Sequence, residues 1–567
     1  MRPVHEPIRE PDSGNRAADR MVQWLADRGV RRVFGIPGGA VAPIYDALVD
    51  TDIESVVCQH EAMATYLAYG EAAATGRPAV VLVTAGPGVL NTLTAVAAAY
   101  MDEVPIIVIT GDVRTDWAGR GAIQDGGADG LDVRSIFRSV TRFQDTLTDP
   151  AQIEIMLGQA WDASLQHPRG PALLQIPADL SCQATPVAPE WRASWVGAVP
   201  DGAEVEAAAA ALQAAERPAI FVGVGARSAG VGDLALRLAY RLRAPIIVDV
   251  EGKGAVPDDD PLVLGLNGLG QAPEVLRYLQ GGVDVMLTIG ARFDDTSTRG
   301  FSEDLRPTKV LIQMDHDATR IGRAWPAELP IVGDLSRACN MLLAACDPAP
   351  VRVLSKRQAA IDHARDFVAA QPDVMGPAAP FNPNGVIREL AESWGSDARF
   401  VSDIGNHLLF AVRNLRTNVP GGFHVSLGLA GMGSGIGAAM GMAIAGDDER
   451  PVICICGDGG LLMVGTELAT CARHRIPVVI CVLDDARLGM VSDGMDANFG
   501  RCDVAVTAGA NLVAFASAMG VEVVDVQSAA DLRPRDLTGP LVLRVPIDPG
   551  VRIENPRQAG FSAANHA

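Results

Sequence analysis

Two carboxylates flank a glycine-rich turn in the C-terminal third of the chain. Asp458 lies within the Gly-Asp-Gly-Gly turn at 457–460, and Asp485 ends the acidic pair that follows it. Glycines let backbone approach a ligand closely, and free N–H groups at a helix start suit a phosphate. Carboxylate oxygens beside a diphosphate are what Mg²⁺ takes as ligands. The pattern predicts a magnesium–diphosphate site, although a plain strand-helix-strand unit would also contain such a turn.

Two short apolar runs must position these groups. Residues 452–456 and 477–483 have the composition of buried strands, and residues 461–475 are predicted to form the helix between them. Parallel strands place their carboxyl ends at one edge of a sheet, so Asp458 and Asp485 are expected to face each other across a crevice.

Glu61 is a second candidate. It follows a predicted strand at 53–58, and glycine turns at 35–39 and 86–88 are expected to open on the same sheet edge. An isolated glutamate at such a place is more often a helix cap or half of an ion pair. The neighbouring glycine turns favour a functional role.

Composition excludes several classes of protein. The net charge of -21 over 567 residues, without a basic block, argues against nucleic acid and anionic membranes as partners. No apolar run has the length of a membrane span, and residues 1–18 lack a signal-peptide core, which predicts a cytoplasmic protein. The nine cysteines are scattered without zinc-type spacing. The only lysines are Lys253, Lys309 and Lys356, and none has a setting suited to a Schiff base.

Alternating strand and helix patterns predict an α/β fold with three doubly wound parallel-sheet domains. We place them at 15–185, 200–345 and 375–551. The first and third have a similar size and rhythm but no residue-level repeat.

Together, these residues resemble the thiamine diphosphate (ThDP)-dependent 2-oxo acid decarboxylase and carboligase family, most closely the acetolactate synthase catalytic subunits. The likeness covers roughly residues 17–550. Beyond Glu61 and the two aspartates, it rests on residues 74–78, 83–88, 99–102 and 289–295. It implies a pyrimidine-binding N-terminal domain, an FAD-type central domain and a diphosphate-binding C-terminal domain.

The resemblance also implies roles for individual residues. Glu61 would hydrogen-bond the aminopyrimidine ring of ThDP, with Gln124 and Arg142 as further catalytic residues. Asp458, Asp485 and the backbone carbonyl of Arg487 would bind Mg²⁺. The other implied ThDP-binding residues are Asn406, His407, Ala430, Met432, Gly457, Gly459, Gly460, Leu488, Gly489 and Met490. The implied FAD-binding residues are Arg169, Gly223, Gly225, Arg292 and Asp315.

Several positions depart from the family pattern. Asp484-Asp485 replaces the more usual Asn-Asn and adds negative charge beside a diphosphate. Ala430 replaces a glycine whose carbonyl meets the cofactor, which alanine permits if its φ stays negative. Gly494 replaces a tryptophan of the acceptor pocket, so the segment 492–501 is where the analogy is weakest. Leu269-Gly270 replaces a Met-His pair beside the flavin.

The implied function is transfer of a two-carbon unit from pyruvate to a second carbonyl acceptor, with ThDP, Mg²⁺ and FAD as cofactors. The implied assembly is a homodimer or homotetramer with the active site between subunits, and a regulatory subunit is possible. A flavin-using 2-oxo acid oxidase or an acyltransferase of specialised metabolism is the alternative enzyme. A non-catalytic relative would be expected to have lost Glu61 or Asp458, and this chain keeps both.

Overall fold

A computed structural model describes residues 15–186, 191, 197–366, 373–446, 449–507 and 509–553. The chain forms two compact units, divided between residues 195 and 196. The second unit contains both the central and the C-terminal sheet, so the predicted three-domain boundaries remain a prediction. Most of the N-terminal segment used to argue for a cytoplasmic protein lies outside the described residues.

The N-terminal unit is built on a six-stranded parallel sheet of order β2-β1-β3-β4-β6-β5. Its strands are β1 (Arg32–Ile36), β2 (Glu54–Val57), β3 (Ala79–Val83), β4 (Ile106–Asp112), β5 (Phe143–Thr146) and β6 (Ala172–Pro177). Its helices are α1 (Ala17–Asp27), α2 (Ala42–Leu48), α3 (Glu61–Thr75), α4 (Pro87–Asn91), α5 (Leu93–Asp102), α6 (Val133–Phe137), α7 (Ile153–Leu165) and α8 (Ala178–Ser181). The central strands β3 and β4 are buried along their whole length, as expected for a sheet covered on both faces.

The second unit begins with a six-stranded parallel sheet of order β12-β11-β10-β7-β8-β9, the arrangement of dinucleotide-binding folds. Its strands are β7 (Pro218–Val222), β8 (Ile246–Val248), β9 (Val263–Leu266), β10 (Val285–Ile289), β11 (Val310–Asp315) and β12 (Leu329–Val332). Its helices are α9 (Gly202–Ala214), α10 (Val224–Ser228), α11 (Gly232–Leu242), α12 (Pro273–Gln280), α13 (Leu335–Ala345) and α14 (Val351–Arg365).

The C-terminal sheet has the order β14-β13-β15-β16-β18-β17, and all its pairs are parallel. Its strands are β13 (Arg399–Ser402), β14 (Phe423–Val425), β15 (Val452–Gly457), β16 (Val478–Asp484), β17 (Glu522–Asp525) and β18 (Leu541–Pro546). Its helices are α15 (Pro383–Trp394), α16 (Asn406–Asn414), α17 (Ser434–Ala445), α18 (Asp458–Val464), α19 (Leu468–His474), α20 (Gly489–Phe499) and α21 (Leu512–Ala518).

The predicted fold class is confirmed, with three parallel sheets flanked by helices. The N-terminal and C-terminal sheets share one strand order, although their sequences show no repeat. The single helix predicted at 461–475 is wrong in detail, because a 3-10 turn at Gly465–Glu467 separates α18 from α19. Among the described residues, no helix is long and apolar enough to cross a membrane.

A single buried arginine connects α14 to the ends of α9 and α11. The side chain of Arg357 is fully buried and donates hydrogen bonds to the carbonyl of Leu242, at the end of α11. It also donates to the carbonyls of Leu212, Gln213 and Ala215, around the end of α9. These carbonyls lie beyond the reach of the helical hydrogen-bond ladder, so Arg357 satisfies groups that would otherwise be buried without a partner.

We therefore expect Arg357→Met to lower the free energy of unfolding by about 3 kcal/mol, because several buried carbonyls lose their donor. The adjacent Lys356 is exposed on the same helix, and Lys356→Met is the matched control, with an expected change below about 0.5 kcal/mol. Urea-induced unfolding followed by fluorescence measures both values. Equal stability of the two variants would contradict the assigned role.

Candidate functional site

The predicted magnesium and diphosphate residues converge where the C-terminal sheet reverses its strand order. β13 and β15 are adjacent, and the chain leaves them toward opposite sides of the sheet. Ligands of open α/β sheets bind at the carboxyl ends of strands at such a point. Asn406 and His407 follow β13, and Asp458 follows β15. The strand order therefore brings together motifs that lie far apart in sequence.

Asp458, Asp484 and Asp485 line one cavity of about 320 Å³ at this edge. The Oδ2 atom of Asp458 accepts a hydrogen bond of 2.5 Å from the Thr507 hydroxyl. Burial, together with the charges of Asp485 and Asp484, raises the pKa of Asp458 to about 6. Burial also raises the pKa of Asp485. Carboxylates held this close repel each other, and a divalent cation between them would remove that cost.

A chain of polar contacts links Asp485 to the start of α16. Arg487 Nε donates to Asp485 at 2.9 Å, and a second guanidinium nitrogen donates to Asp493 at 3.2 Å. Asp493 in turn accepts a 2.7 Å hydrogen bond from the Asn406 side chain. Gly489 lies between them, since a β-carbon there would be 2.9 Å from Asn406 Nδ2 and 3.3 Å from Asp485 Oδ2. Four predicted residues are thus brought together, with Asp493 as an unpredicted link.

His407 is buried beside the glycine turn. Burial lowers its pKa to about 4, and its ring lies 3.4 Å from where a β-carbon of Gly457 would be. Among the described residues, no group hydrogen-bonds its Nε2 atom. A buried ring nitrogen without a partner costs free energy, and a diphosphate oxygen would satisfy it when that nitrogen carries the proton. This orphaned atom is the feature of the site that fits a phosphate ligand.

Met432, Gly459 and Leu488 also come together. A β-carbon at Gly459 would lie 2.6 Å from Leu488 Cδ2 and 3.4 Å from the Met432 methyl group, so these two side chains pack closely over the glycine. At Gly460 the same carbon would lie 2.4 Å from the Asp403 carboxylate. Met490 packs against the hydrophobic core of the unit.

The expectation that Ala430 has a negative φ is wrong. Its φ is +56°, in the left-handed region, and not negative as expected. This conformation costs an alanine about 1 kcal/mol relative to glycine. The next residues lead into the first turn of α17, where Asp403 accepts hydrogen bonds from the N–H groups of Gly433 and Gly435 at 2.9 and 3.0 Å. These contacts hold the strained segment in place.

In the N-terminal unit, Glu61 is buried in the first turn of α3. Its Oε2 atom accepts a 2.9 Å hydrogen bond from the Asn91 amide, at the end of α4. Its Oε1 atom faces Gly88, where a β-carbon would lie 3.6 Å away. The glycine turns also meet as expected, because Gly38 packs directly against Thr84.

The other two predicted catalytic residues lie apart from each other. Gln124 packs over Gly86 at the carboxyl edge of the sheet and lines a cavity of about 690 Å³. Arg142 instead precedes β5, at the amino edge, since the strands are parallel. Its guanidinium stacks on the Tyr100 ring at 4.1 Å and donates to the Arg169 carbonyl. These contacts are those of a packing residue.

The residues implied for FAD in the second unit have partners within the chain. The N–H groups of Gly223 and Gly225 donate to the carbonyls of Ile289 and Gly290 at 3.1 and 2.8 Å. Arg292 forms a 3.0 Å ion pair with Glu251, and both are largely buried. The two glycines therefore permit close packing of two loops, and the arginine charge is neutralised internally. The N–H groups of Gly223 and Gly225 are therefore not available to a phosphate.

Asp315 and Arg169 complete the implied FAD set. Asp315 is fully buried and its Oδ1 atom accepts the N–H of Asp317 at 2.8 Å. Arg169 belongs to the N-terminal unit, and burial lowers its pKa.

Sequence reasoning missed several members of the site. Asp403 follows β13 as Asp458 follows β15, so its position was a usable signal. The others are held only by long-range contacts and have no local signature. They are Asn91, Asp493, Thr507 and Arg544.

Comparison with known protein families agrees with this geometry. Residues 15–132, 205–342 and 403–536 match the models described as thiamine pyrophosphate enzyme N-terminal TPP binding domain, central domain and C-terminal TPP binding domain. The Glu61 edge lies within the first match and the Asp458 turn within the third.

Curated relatives extend over most of the chain. The acetolactate synthase isozyme 2 large subunit of Escherichia coli is 30% identical, covering 94% of this chain and 95% of the relative. The acetolactate synthase large subunit of Parasynechococcus marenigrum is 32% identical, covering 94% and 87%. A solved Mycobacterium smegmatis structure, described as a thiamin diphosphate-dependent enzyme, has a TM-score of 0.80 at 23% identity, covering 94% and 99%. The last likeness shows the fold alone.

We expect His407 to make stability fall as the pH drops from about 6.5 to about 4. An unfolded histidine gains a proton below its ordinary pKa of about 6.5, whereas the folded His407 resists it down to a pKa of about 4. Stability is therefore present above pH 6.5 and lost toward pH 4. The contribution to the slope is at most about 1.4 kcal/mol per pH unit.

The measurement compares urea unfolding of the protein without added cofactor at several pH values. His407→Gln is expected to flatten the slope. The exposed His363 on α14 gives a control, His363→Gln, with the slope of the original protein. A steep slope that persists in His407→Gln would contradict the prediction.

Proposed function

Since this chain belongs to the thiamine pyrophosphate enzyme family, we propose that it is a ThDP- and Mg²⁺-dependent carboligase. It would decarboxylate pyruvate or a related 2-oxo acid and transfer the two-carbon unit to a second carbonyl compound. The observation that supports this most is the convergence of Asp458, Asp485 and the orphaned His407 nitrogen at one sheet edge. The named relatives are acetolactate synthase large subunits, and acetolactate is the product we propose first.

The cofactor is assigned to residues whose contacts suit it. Asp458, Asp485 and the Arg487 carbonyl would bind Mg²⁺, whose preferred ligands are oxygens. Asn406 and His407 would donate to the diphosphate, and Met432 would support the bend of the cofactor. ThDP, when bound, supplies a carbon nucleophile and a ring that holds the electron pair left by the departing carbon dioxide.

Glu61 is the proposed catalytic acid–base group. Asn91 holds one carboxylate oxygen, and the other faces the small surface of Gly88. A carboxyl group fixed in this way can hold or release a proton at one defined atom, Oε1. We assign to it the proton exchanged with the aminopyrimidine ring nitrogen.

The acceptor side is the least constrained part of the proposal. Gly494 lies within α20 and leaves no side chain where the family has an indole. In the N-terminal unit, the Gln124 cavity is also lined by Trp117 and Arg120. An arginine beside an apolar wall suits a small acid with a hydrocarbon portion. We assign Gln124 to this substrate side and leave Arg142 out of the catalytic group.

We propose a homo-oligomer, a homodimer or homotetramer, in which the Glu61 edge of one copy meets the diphosphate edge of another. The relatives are named as large subunits, which supports a separate regulatory subunit as a partner. FAD is not included, because Gly223, Gly225 and Arg292 are engaged within the chain. The same contacts disfavour a flavin-using oxidase.

Incubation with ThDP, Mg²⁺ and pyruvate, alone and with a panel of aldehydes and 2-oxo acids, tests the activity. We expect release of carbon dioxide and a two-carbon ligation product identified by mass spectrometry. Glu61→Gln should retain ThDP binding and lose at least about 100-fold in turnover, since a positioned proton donor is worth that much.

The exposed Glu54 on β2 provides the matched control, and Glu54→Gln is expected to turn over normally. Asp458→Asn should instead lose Mg²⁺-dependent ThDP binding. Failure of the original protein to decarboxylate any 2-oxo acid in the panel would refute the proposed function. Full turnover by Glu61→Gln would refute the role of Glu61.

The flavin content of the purified protein is a separate prediction. We expect no flavin absorbance near 450 nm and no FAD in the supernatant after denaturation. Added FAD should neither raise the thermal midpoint nor increase turnover, since the N–H groups of Gly223 and Gly225 already have carbonyl acceptors and Arg292 is ion-paired with Glu251. One FAD per chain would show that the ion pair of Arg292 with Glu251 opens to admit it.

A further inference from the structure

We propose that Arg544 is a positioning residue that neutralises Asp484 and so allows an Asp-Asp pair to serve at the magnesium–diphosphate edge. This inference rests on the proposed function. Arg544 approaches the Oδ2 atom of Asp484 with two guanidinium nitrogens, Nε and one terminal nitrogen, each at 2.7 Å. Two short contacts to one carboxylate form a strong charge-assisted interaction.

The strand register explains why Arg544 reaches Asp484. Arg544 lies within β18 and pairs with Val482 of β16 on one side and with Asp525 of β17 on the other. Its side chain extends along β16 toward Asp484, the last residue of that strand. The Arg544 side chain is partly buried, whereas the carboxylate of Asp484 is largely buried, so the arginine is placed to neutralise that carboxylate.

The charges at the edge are then balanced in pairs. Asp484 is paired with Arg544, and Asp485 with Arg487 at 2.9 Å. Both aspartates and Arg544 line the cavity that contains Asp458. The unpaired charge of Asp484 would act through a partly buried medium, where screening is weaker than in water. Without Arg544, that charge would oppose the diphosphate and strengthen the repulsion on Asp458.

A substitution at Asp525 distinguishes an electrostatic role of Arg544 from a structural role. It accepts from the remaining terminal nitrogen of Arg544 at 3.1 Å, but it does not line the cavity. Loss of Asp525 therefore removes a contact of the same arginine without changing the charge at the edge. Loss of Arg544 removes the contact with Asp525 and also the positive charge that neutralises Asp484.

The test compares ThDP binding by single and double variants at saturating Mg²⁺, measured by calorimetry, with thermal unfolding as a check on the fold. We expect Arg544→Met to weaken ThDP binding about tenfold, because one unit charge near the ligand is uncovered. Asp484→Asn/Arg544→Met should regain most of that affinity, since the uncovered charge is gone. Asp525→Asn should bind ThDP like the original protein.

Two results would overturn the inference. One is unchanged ThDP affinity in Arg544→Met, and the other is a double variant that binds as weakly as Arg544→Met alone. Either result leaves the proposed function intact, provided that the original protein binds ThDP with Mg²⁺ and Asp458→Asn does not. Absence of ThDP binding by the original protein would refute the proposed function itself, and this inference with it.

Discussion

Repulsion between carboxylates at the edge of one parallel sheet is the constraint on which the site depends. Asp458, Asp484 and Asp485 share a cavity because β15 and β16 are adjacent and parallel, so that their carboxyl ends meet. Burial and the two neighbouring carboxylates raise the pKa of Asp458 to about 6, because they disfavour its charged form. Arg487 and Arg544 offset the charges of Asp485 and Asp484. The site beside Asp458 is then suited to a metal ion.

The same topology in two sheets gives two edges with different chemistry. The N-terminal and C-terminal sheets have equivalent strand orders, and each carries its glycine turns at the point of reversal. One edge presents a glutamate held by an amide, and the other presents carboxylates and a histidine nitrogen that no described residue hydrogen-bonds. Strand order is set by packing, whereas the chemistry depends on the few residues at the strand ends.

The central sheet shows that a Gly-x-Gly turn alone does not identify a dinucleotide-binding site. A Gly-x-Gly turn after a strand resembles a dinucleotide signal, but Gly223 and Gly225 are required here by the close approach of Gly290 and Ala291. A bound dinucleotide and a neighbouring loop impose the same need for glycine, because a side chain would collide with either of them. The partner that approaches the backbone differs, and the local sequence does not identify it. Glu251, which pairs with Arg292, is 41 residues away from it in the chain.

Local sequence was sufficient to determine the fold class and the strands on either side of the glycine turn, and it indicated Glu61, Asp458 and Asp485 as candidate site residues. Buried strands have a composition that is visible in a few residues, and turns require particular residue types. Only the tertiary structure determined the left-handed backbone of Ala430, the amino-edge position of Arg142 and the arginine partners of the acidic pair. Arg544 is 60 residues from Asp484 in the chain, and only the strand order brings such residues into contact. Short-range patterns thus indicate candidate groups, while long-range packing decides which charges these groups meet.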